Sequence, residues 1–211
     1  MRRALYTIGH SNHSADAFVE LLCRNGINAI ADVRSTPYSK FSPQFNRESL
    51  STVLRHHAIQ YMFFGRELGA RREERDCYVG NQARYDLIAK SKLFRQGLDR
   101  VLDGAASNAV ALMCSEKDPV TCHRMVLVCR ELRASGFDLR HVLADGSVES
   151  NTEAENRLLD LAELPQGDLF STRETLVEQA YDRQARRIAW TEREATELQD
   201  AAAPREYGAL P

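Results

Sequence analysis

The stretch VALMCSEKDPVTCHRMVLVCRELRASG, from Val110 to Gly136, predicts a strand, a charged turn and a helix in one continuous run. Its apolar start, Val110–Cys114, has the length and character of a strand that is buried on both faces. Asp118 and Pro119 are typical of a helix start, because an aspartate carboxylate can accept a hydrogen bond from a free backbone N–H and proline presets φ. We therefore expect one helix that runs from this pair to Gly136, where a glycine readily ends it.

Three residues capable of chemistry, Cys122, His123 and Arg124, fall near the start of that predicted helix. Free N–H groups and the helix macrodipole favour negative charge at such a position. A thiolate or a bound anion would therefore be stabilised there.

Further apolar runs predict strands on both sides of this stretch, at residues 5–8, 28–33, 61–64 and 139–143. Helical patterns separate them, so we expect an α/β fold, a three-layer sandwich in which a mostly parallel sheet of about five strands carries helices on both faces. Residues 65–80 form a long charged stretch that we expect to be irregular.

From Glu149 onward the sequence is charged and helical without another strand candidate. This pattern predicts a core domain over 1–148 and a helical extension over 149–211 that packs on the core or on a partner chain. Within the extension we expect a long helix from Thr172 to about Asp200, followed by a frayed end.

Composition excludes some classes of protein. The 211 residues contain 28 Lys and Arg against 30 Asp and Glu, a net charge of −2 that argues against a surface devoted to nucleic acid. No apolar run reaches the roughly 18 residues of a membrane span, and the N-terminus does not resemble a signal peptide, so we expect a cytoplasmic protein with no membrane partner. A homo-oligomer is compatible with the sequence.

The five cysteines are an odd set without the spacing of a secreted disulfide framework, and we expect reduced thiols. Two of them, Cys23 and Cys129, are expected to be small buried hydrophobic residues within helices.

Polar residues follow the predicted strands. Ligands of open α/β sheets bind outside the carboxyl ends of the strands, so these residues are expected to converge on one pocket. The candidates for catalysis are Cys114, Glu116, Cys122, His123 and His10, and those for ligand binding are Gly9, Ser11, Asp32, Arg34, Ser39 and Arg124.

Three chemistries fit this set. In the first, Cys122 is a nucleophile or redox thiol with His10 or His123 as base, while Arg34 and Arg124 hold an anion. In the second, zinc or iron is bound by thiols and imidazoles, with Cys114, Cys122, His123, His10 and His141 as candidates. The spacing of these residues in the sequence fits no standard zinc module, so we assign no metal ligand. In the third, the arginines and the helix start hold a phosphate without covalent chemistry, and Asp32 serves equally well as a structural partner of Arg34.

Three motifs occur in order: Thr7-Ile8-Gly9-His10-Ser11, then Asp32-Val33-Arg34 with Pro37 and Ser39, and then Cys114-x-Glu116 followed by Cys122-His123-Arg124. Together they resemble the family described as domain of unknown function 488, over about residues 5 to 146, and Ala180, Tyr181 and Gln184 resemble an extension found in part of it. The resemblance implies that the motif residues act together. It implies no settled reaction.

We therefore expect an enzyme, of the hydrolase or transferase type, that acts on a small anionic ligand such as a nucleotide or another phosphate-bearing molecule. The sequence identifies no cofactor. Two alternatives stay open: a non-catalytic module that binds a nucleotide or nucleic acid through the arginines of residues 65–80, and a Cys/His metal-binding protein.

Overall fold

The structure, a computed structural model, describes residues 3–167 and 171–192 of the chain. The strands are β1 (Ala4–Gly9), β2 (Ala29–Asp32), β3 (Gln60–Phe63), β4 (Tyr78–Val79), β5 (Gln82–Ala83), β6 (Val110–Cys114), β7 (Asp138–Val142) and β8 (Val148–Ser150). The α-helices are α1 (Ala15–Arg24), α2 (Arg47–His56), α3 (Gly65–Leu68), α4 (Tyr85–Ile88), α5 (Lys92–Ala105), α6 (Arg130–Leu132), α7 (Asn151–Leu161) and α8 (Arg173–Ile188). Short 3₁₀ turns occur at Pro43–Phe45, Arg75–Cys77 and Pro119–Thr121, and a π-helix spans Arg124–Cys129.

The central sheet has the order β3-β2-β6-β1-β7-β8. Its first five strands are parallel, and they are the five that the apolar runs predict. The expectation of no strand beyond residue 148 is wrong, because β8 pairs antiparallel with β7 at the edge of the sheet. A strand of three residues shows no alternation to detect in the sequence, and the backbone bonds to β7 define it. The predicted α/β class with a mostly parallel sheet is confirmed.

Helices cover the sheet on both faces because alternate side chains of the strands point to opposite sides. On one face Ile30 and Met113 pack with residues of α1 and α2, among them Leu22 and Leu50. On the other face the neighbouring strand residues join a larger cluster with α5, the π-helix, α7 and α8. The sheet is therefore the middle of three layers.

The predicted continuous helix from Pro119 to Gly136 is wrong. Asp118 does accept a hydrogen bond from Val120 N–H, at 3.1 Å, but the helix it caps is a single 3₁₀ turn. Cys122 is extended, with φ −126° and ψ 142°, and its carbonyl oxygen then accepts bonds from the N–H groups of Met125 and Val126 that start the next helical segment. The chain thus bends at Cys122, and the following segment is a π-helix, a form that is frequent at functional sites.

The two cysteines expected to be structural differ. Cys129 is fully buried, as predicted, whereas Cys23 is exposed. Helix α1 buries the face that carries Phe18 and Leu22, and Cys23 points away from it.

The segment 65–80 is more ordered than the sequence predicts, because it contains α3, a 3₁₀ turn and β4. The side chain of Arg72 is buried and donates hydrogen bonds to the carbonyl oxygens of Arg66, at 2.9 Å, and Glu67, at 2.6 Å. These bonds join two parts of the same segment and fix its fold.

The C-terminal helices α7 and α8 contribute Leu158, Val177 and Tyr181 to the larger core cluster. The expectation that the last helix runs to about Asp200 is wrong, since α8 ends at Ile188 and the next residues run beside Asn81–Ala83. The predicted frayed end lies outside the described residues. Among the residues that the structure describes, no helix is long and apolar enough to cross a membrane.

Candidate functional site

A cavity of about 750 Å³ lies where the loops after β1, β2 and β6 meet. Strands β1 and β6 are neighbours, but the chain leaves them in opposite directions, from β1 to β2 and from β6 to β7. Such a reversal opens a crevice at the carboxyl ends of the strands. Most of the predicted site residues line this cavity: His10, Ser11, Arg34, Ser39, Cys114, Glu116, Cys122 and His123.

Cys114, the last residue of β6, is paired with His123. Its Sγ atom lies 3.6 Å from Nδ1 of His123, and Nε2 of the same ring lies 3.0 Å from the carbonyl oxygen of Val33. A carbonyl oxygen only accepts hydrogen bonds, so Nε2 carries a hydrogen and Nδ1 faces the thiol. The backbone of the loop after β2 thereby orients the imidazole toward the sulfur.

The surroundings favour a thiolate at Cys114. A hydrogen bond from Cys122 lowers the pKa of Cys114 well below its usual value, against the effect of burial, and the nearby His123 and Arg124 act in the same direction. Burial opposes a charged His123, but the negative sulfur of Cys114 and the bond to Val33 raise the pKa of His123 above its usual value. The two residues therefore have the properties of a thiolate–imidazolium pair.

Cys122 has the opposite character. Burial raises its pKa well above that of a free thiol, and its hydrogen bond to the charged Cys114 reinforces the effect. Cys122 thus keeps its proton and donates it toward Cys114. The sequence analysis placed the nucleophile at Cys122 because of its position in a predicted helix; in the structure the sulfur of Cys114 is the one that lies 3.6 Å from Nδ1 of His123.

His10 is held as a neutral ring. Arg34 Nη1 donates toward His10 Nε2 at 3.3 Å, so that nitrogen is an acceptor and Nδ1–H donates to the Ser11 carbonyl oxygen at 2.9 Å. The ring stacks on Phe45 with 4.3 Å between centroids, and burial lowers the pKa of His10. His10 therefore lines the site with one nitrogen already bound by Arg34, which makes it a weaker candidate for the base than His123.

Arg34 and Asp32 form a buried ion pair at the end of β2. Arg34 Nε and Nη2 lie 2.9 and 2.6 Å from the two carboxylate oxygens, and Nη2 also donates to the Phe45 carbonyl oxygen at 2.9 Å. Tyr61 donates to the same carboxylate at 2.7 Å. Asp32 therefore supports Arg34 from behind the cavity, and the described residues leave Arg34 one Nη1 hydrogen that can point to a ligand.

Arg124 does not line the cavity. Its guanidinium is buried and donates to the carbonyl oxygens of Glu116, at 2.7 Å, and Lys117, at 3.2 Å. Gly9 makes room for this arrangement, because a Cβ there would lie 1.9 Å from the Glu116 oxygen. Both residues therefore brace the loop after β6, and the predicted anion clamp at Arg124 does not agree with its contacts.

Ser11 and Ser39 shape the cavity wall by hydrogen bonds with backbone groups of neighbouring residues. Ser11 has φ +47° and donates its N–H to the Ser115 carbonyl oxygen at 3.0 Å, which ties the loop after β1 to that after β6. Ser39 Oγ accepts from the N–H groups of Phe41 and Ser42 and closes a turn. Glu116, in contrast, presents an exposed side chain at the cavity.

The sequence analysis missed several cavity residues, among them Ser35, Thr36 and Trp190, and it considered Arg71 only as one of the arginines of residues 65–80 in the non-catalytic alternative. Arg71 and Trp190 both line the cavity, and the guanidinium of Arg71 lies 5.5 Å from the centre of the Trp190 ring. Trp190 reaches the site because its carbonyl oxygen accepts from Ala83 N–H at 2.9 Å and Glu192 N–H donates to the Asn81 oxygen. No pattern in the sequence indicates that Trp190 lies beside residues 81–83.

His141, considered above as a metal ligand, is separate from the cavity. It lies on β7, where Nδ1 is 2.8 Å from Thr7 Oγ1 and Nε2 is 3.1 Å from Asn151 Oδ1. Both ring nitrogens are therefore engaged inside the core.

One comparison with known proteins gives a match. The family model described as domain of unknown function DUF488 matches residues 14–130, more than half of the chain. No curated protein and no solved structure gives a match. The chain therefore belongs to the family described as domain of unknown function DUF488.

Proposed function

We propose that this protein is an enzyme in which the Cys114 thiolate attacks a small anionic ligand bound in the cavity. The observation that carries the proposal is the Cys114–His123 pair, with 3.6 Å between sulfur and nitrogen and with the far ring nitrogen held by Val33. A thiolate is the nucleophilic form of cysteine, and an oriented imidazole can return a proton to a leaving group.

The cavity charges support an anionic ligand. Arg71 is exposed at the cavity and forms no ion pair with any residue that the structure describes, and the same residues leave one Nη1 hydrogen of Arg34 without an acceptor. Serine and threonine hydroxyls at Ser35 and Thr36 add neutral hydrogen-bond partners. A carboxylate or a phosphate group suits such a set of donors. The phosphate-bearing ligand that the sequence suggests is of this kind.

The experiment measures alkylation of Cys114 by iodoacetamide as a function of pH. We would use a Cys23→Ser background, because Cys23 is exposed and lies outside the cavity. Cys114 is expected to react with a midpoint clearly below the value of about 8.5 for a free thiol. His123→Ala and Cys122→Ala should each raise that midpoint, while Cys122→Ser keeps a donor and should raise it less. A midpoint for Cys114 at or above that of a free thiol contradicts the proposal.

A second candidate function is metal binding, favoured by one specific observation. The sulfur atoms of Cys114 and Cys122 and a ring nitrogen of His123 lie within 4.8 Å of one another. The bond from His123 Nε2–H to a carbonyl oxygen is also the usual support of a metal-bound imidazole. Elemental analysis of protein purified without a histidine tag tests this candidate, which fails if zinc and iron are both far below one per chain.

The non-catalytic alternative has less support. Two arginines of the segment 65–80 are bound within the protein, Arg72 to Glu74 and to backbone oxygens, and Arg75 to Glu192. This surface therefore offers fewer free cations to a nucleic acid than the sequence suggests. Binding that does not weaken between low and moderate salt would exclude phosphate contacts there.

A further inference from the structure

We propose that Cys114 and Cys122 are a catalytic dithiol, which closes to a disulfide while it reduces a small anionic disulfide substrate in the cavity. The inference rests on the proposed function, because it takes Cys114 as the attacking thiolate. It adds a second catalytic residue and a substrate class.

The first support is the position of the two sulfur atoms. They lie within 4.8 Å of each other, and both cysteines line the same cavity. A disulfide needs an S–S distance of about 2 Å, so the two sulfur atoms must approach each other by up to about 3 Å. Cys122 sits in the extended bend between the 3₁₀ turn and the π-helix, where its backbone is not part of a regular helix.

The second support is the difference between the two thiols. The sulfur of Cys114 lies 3.6 Å from Nδ1 of His123, whereas the sulfur of Cys122 accepts the backbone N–H of Arg124 at 3.5 Å, and burial raises the pKa of Cys122. An enzyme that attacks with one sulfur and resolves with another requires this asymmetry, because a second thiolate would compete for the substrate. Of the five cysteines, Cys114 and Cys122 are the pair that shares the cavity with an imidazole.

The reaction balances with the groups present. The Cys114 thiolate attacks one sulfur of the substrate disulfide, the substrate S–S bond breaks, and the leaving thiolate takes the proton of the His123 imidazolium. The neutral His123 then accepts the proton of Cys122, whose sulfur attacks Cys114 and releases the second substrate thiol with that proton. The substrate gains two electrons and becomes two thiols, and the protein holds a Cys114–Cys122 disulfide. An external dithiol must reduce this disulfide to complete the cycle.

The cavity fits a substrate of this class. Its volume of about 750 Å³ is large enough for a low-molecular-weight disulfide. The guanidinium of Arg71 lies at the cavity, forms no ion pair with the residues that the structure describes, and suits a carboxylate on such a molecule.

The test uses 5,5′-dithiobis(2-nitrobenzoate), a disulfide of two anionic rings, with the reduced full-length chain in a Cys23→Ser background and EDTA present. We expect rapid release of two thiol equivalents per chain, loss of two hydrogens in the intact mass, and a Cys114–Cys122 peptide after digestion. The added Cys122→Ser substitution should release one equivalent and leave a stable mixed disulfide on Cys114. The added Cys114→Ser substitution should abolish the rapid phase.

The outcomes separate the two proposals. A stable mixed disulfide on Cys114 although Cys122 is intact overturns the dithiol while leaving the Cys114 nucleophile in place. Absence of a rapid reaction at Cys114 overturns both proposals. Rapid closure of the disulfide followed by its reduction with dithiothreitol supports the complete cycle.

Discussion

The guanidinium of Arg71 lies over the ring of Trp190, 5.5 Å from its centre, at the cavity that contains Cys114. The first residue follows α3 and the second follows α8, so two distant parts of the chain meet at this wall. The contact holds a positive charge at the cavity that the proposed nucleophile also lines.

Removal of that charge should change the selectivity of the site. We expect Arg71→Ala to lower the rate of Cys114 alkylation by anionic iodoacetate relative to neutral iodoacetamide by roughly fivefold, equivalent to about 1 kcal/mol for one charge near the surface. The ratio of the two rates is measured, because the substitution also removes the contact with Trp190. The control is Arg66→Ala, which changes an exposed arginine outside the cavity. Equal ratios in both variants would remove Arg71 from the site.

The buried pair of Asp32 and Arg34 should be important for stability. Asp32→Ala leaves the guanidinium of Arg34 buried without its carboxylate, and we expect a loss of about 3–5 kcal/mol in the free energy of unfolding. The matched control is Asp138→Ala, which breaks an exposed pair with Arg140 and should cost less than about 1 kcal/mol. Urea denaturation followed by circular dichroism measures both variants. Similar small losses would contradict the buried role of Asp32.

The close approach of Gly9 to Glu116 predicts that a side chain at position 9 lowers the stability of the protein. Gly9→Ala places a Cβ 1.9 Å from a backbone oxygen, so the loop after β6 must move, and we expect a loss of about 1–3 kcal/mol together with slower alkylation of Cys114. Gly104→Ala, in α5, meets no atom within 4 Å and should stabilise the protein by about 0.5–1 kcal/mol. The midpoint temperature of thermal unfolding should therefore fall in Gly9→Ala and rise in Gly104→Ala. An unchanged midpoint in Gly9→Ala would show that the loop after β6 moves easily.

The buried His141 predicts a pH dependence of stability. Burial lowers its pKa from 6.5 to about 3 in the folded state. Because the folded value lies below the unfolded one, the contribution of neutral His141 is complete above pH 6.5 and is lost as the pH falls toward 3. Between these values the unfolded chain binds one more proton, which gives a slope of about 1.4 kcal/mol per pH unit.

His141→Gln should remove this slope from the curve of unfolding free energy against pH, whatever its effect on stability at pH 7. His57→Gln, at an exposed histidine, should leave the slope unchanged. Parallel curves for the wild type and His141→Gln would show that His141 is not the group that titrates.

The parallel strands and the main helices could be predicted from the sequence because their signals are local. The run Val110–Cys114 is apolar throughout since both faces of β6 are buried, and Ser14 before α1 accepts the N–H of Ala17 as a cap residue should. The break at Cys122 could not be predicted, because Asp118 and Pro119 start a helix without specifying how far it continues.

The sequence by itself determined that polar loops follow β1, β2 and β6 and that such loops converge in a parallel sheet. Only the tertiary structure decided which residues of these loops face the cavity. Arg124 turned inward because the carbonyl oxygens of Glu116 and Lys117 are its partners, and Cys114 rather than Cys122 met His123. Those outcomes depend on distances between residues far apart in the chain, as does the arrival of Trp190 at the site, and a local pattern carries no information about them.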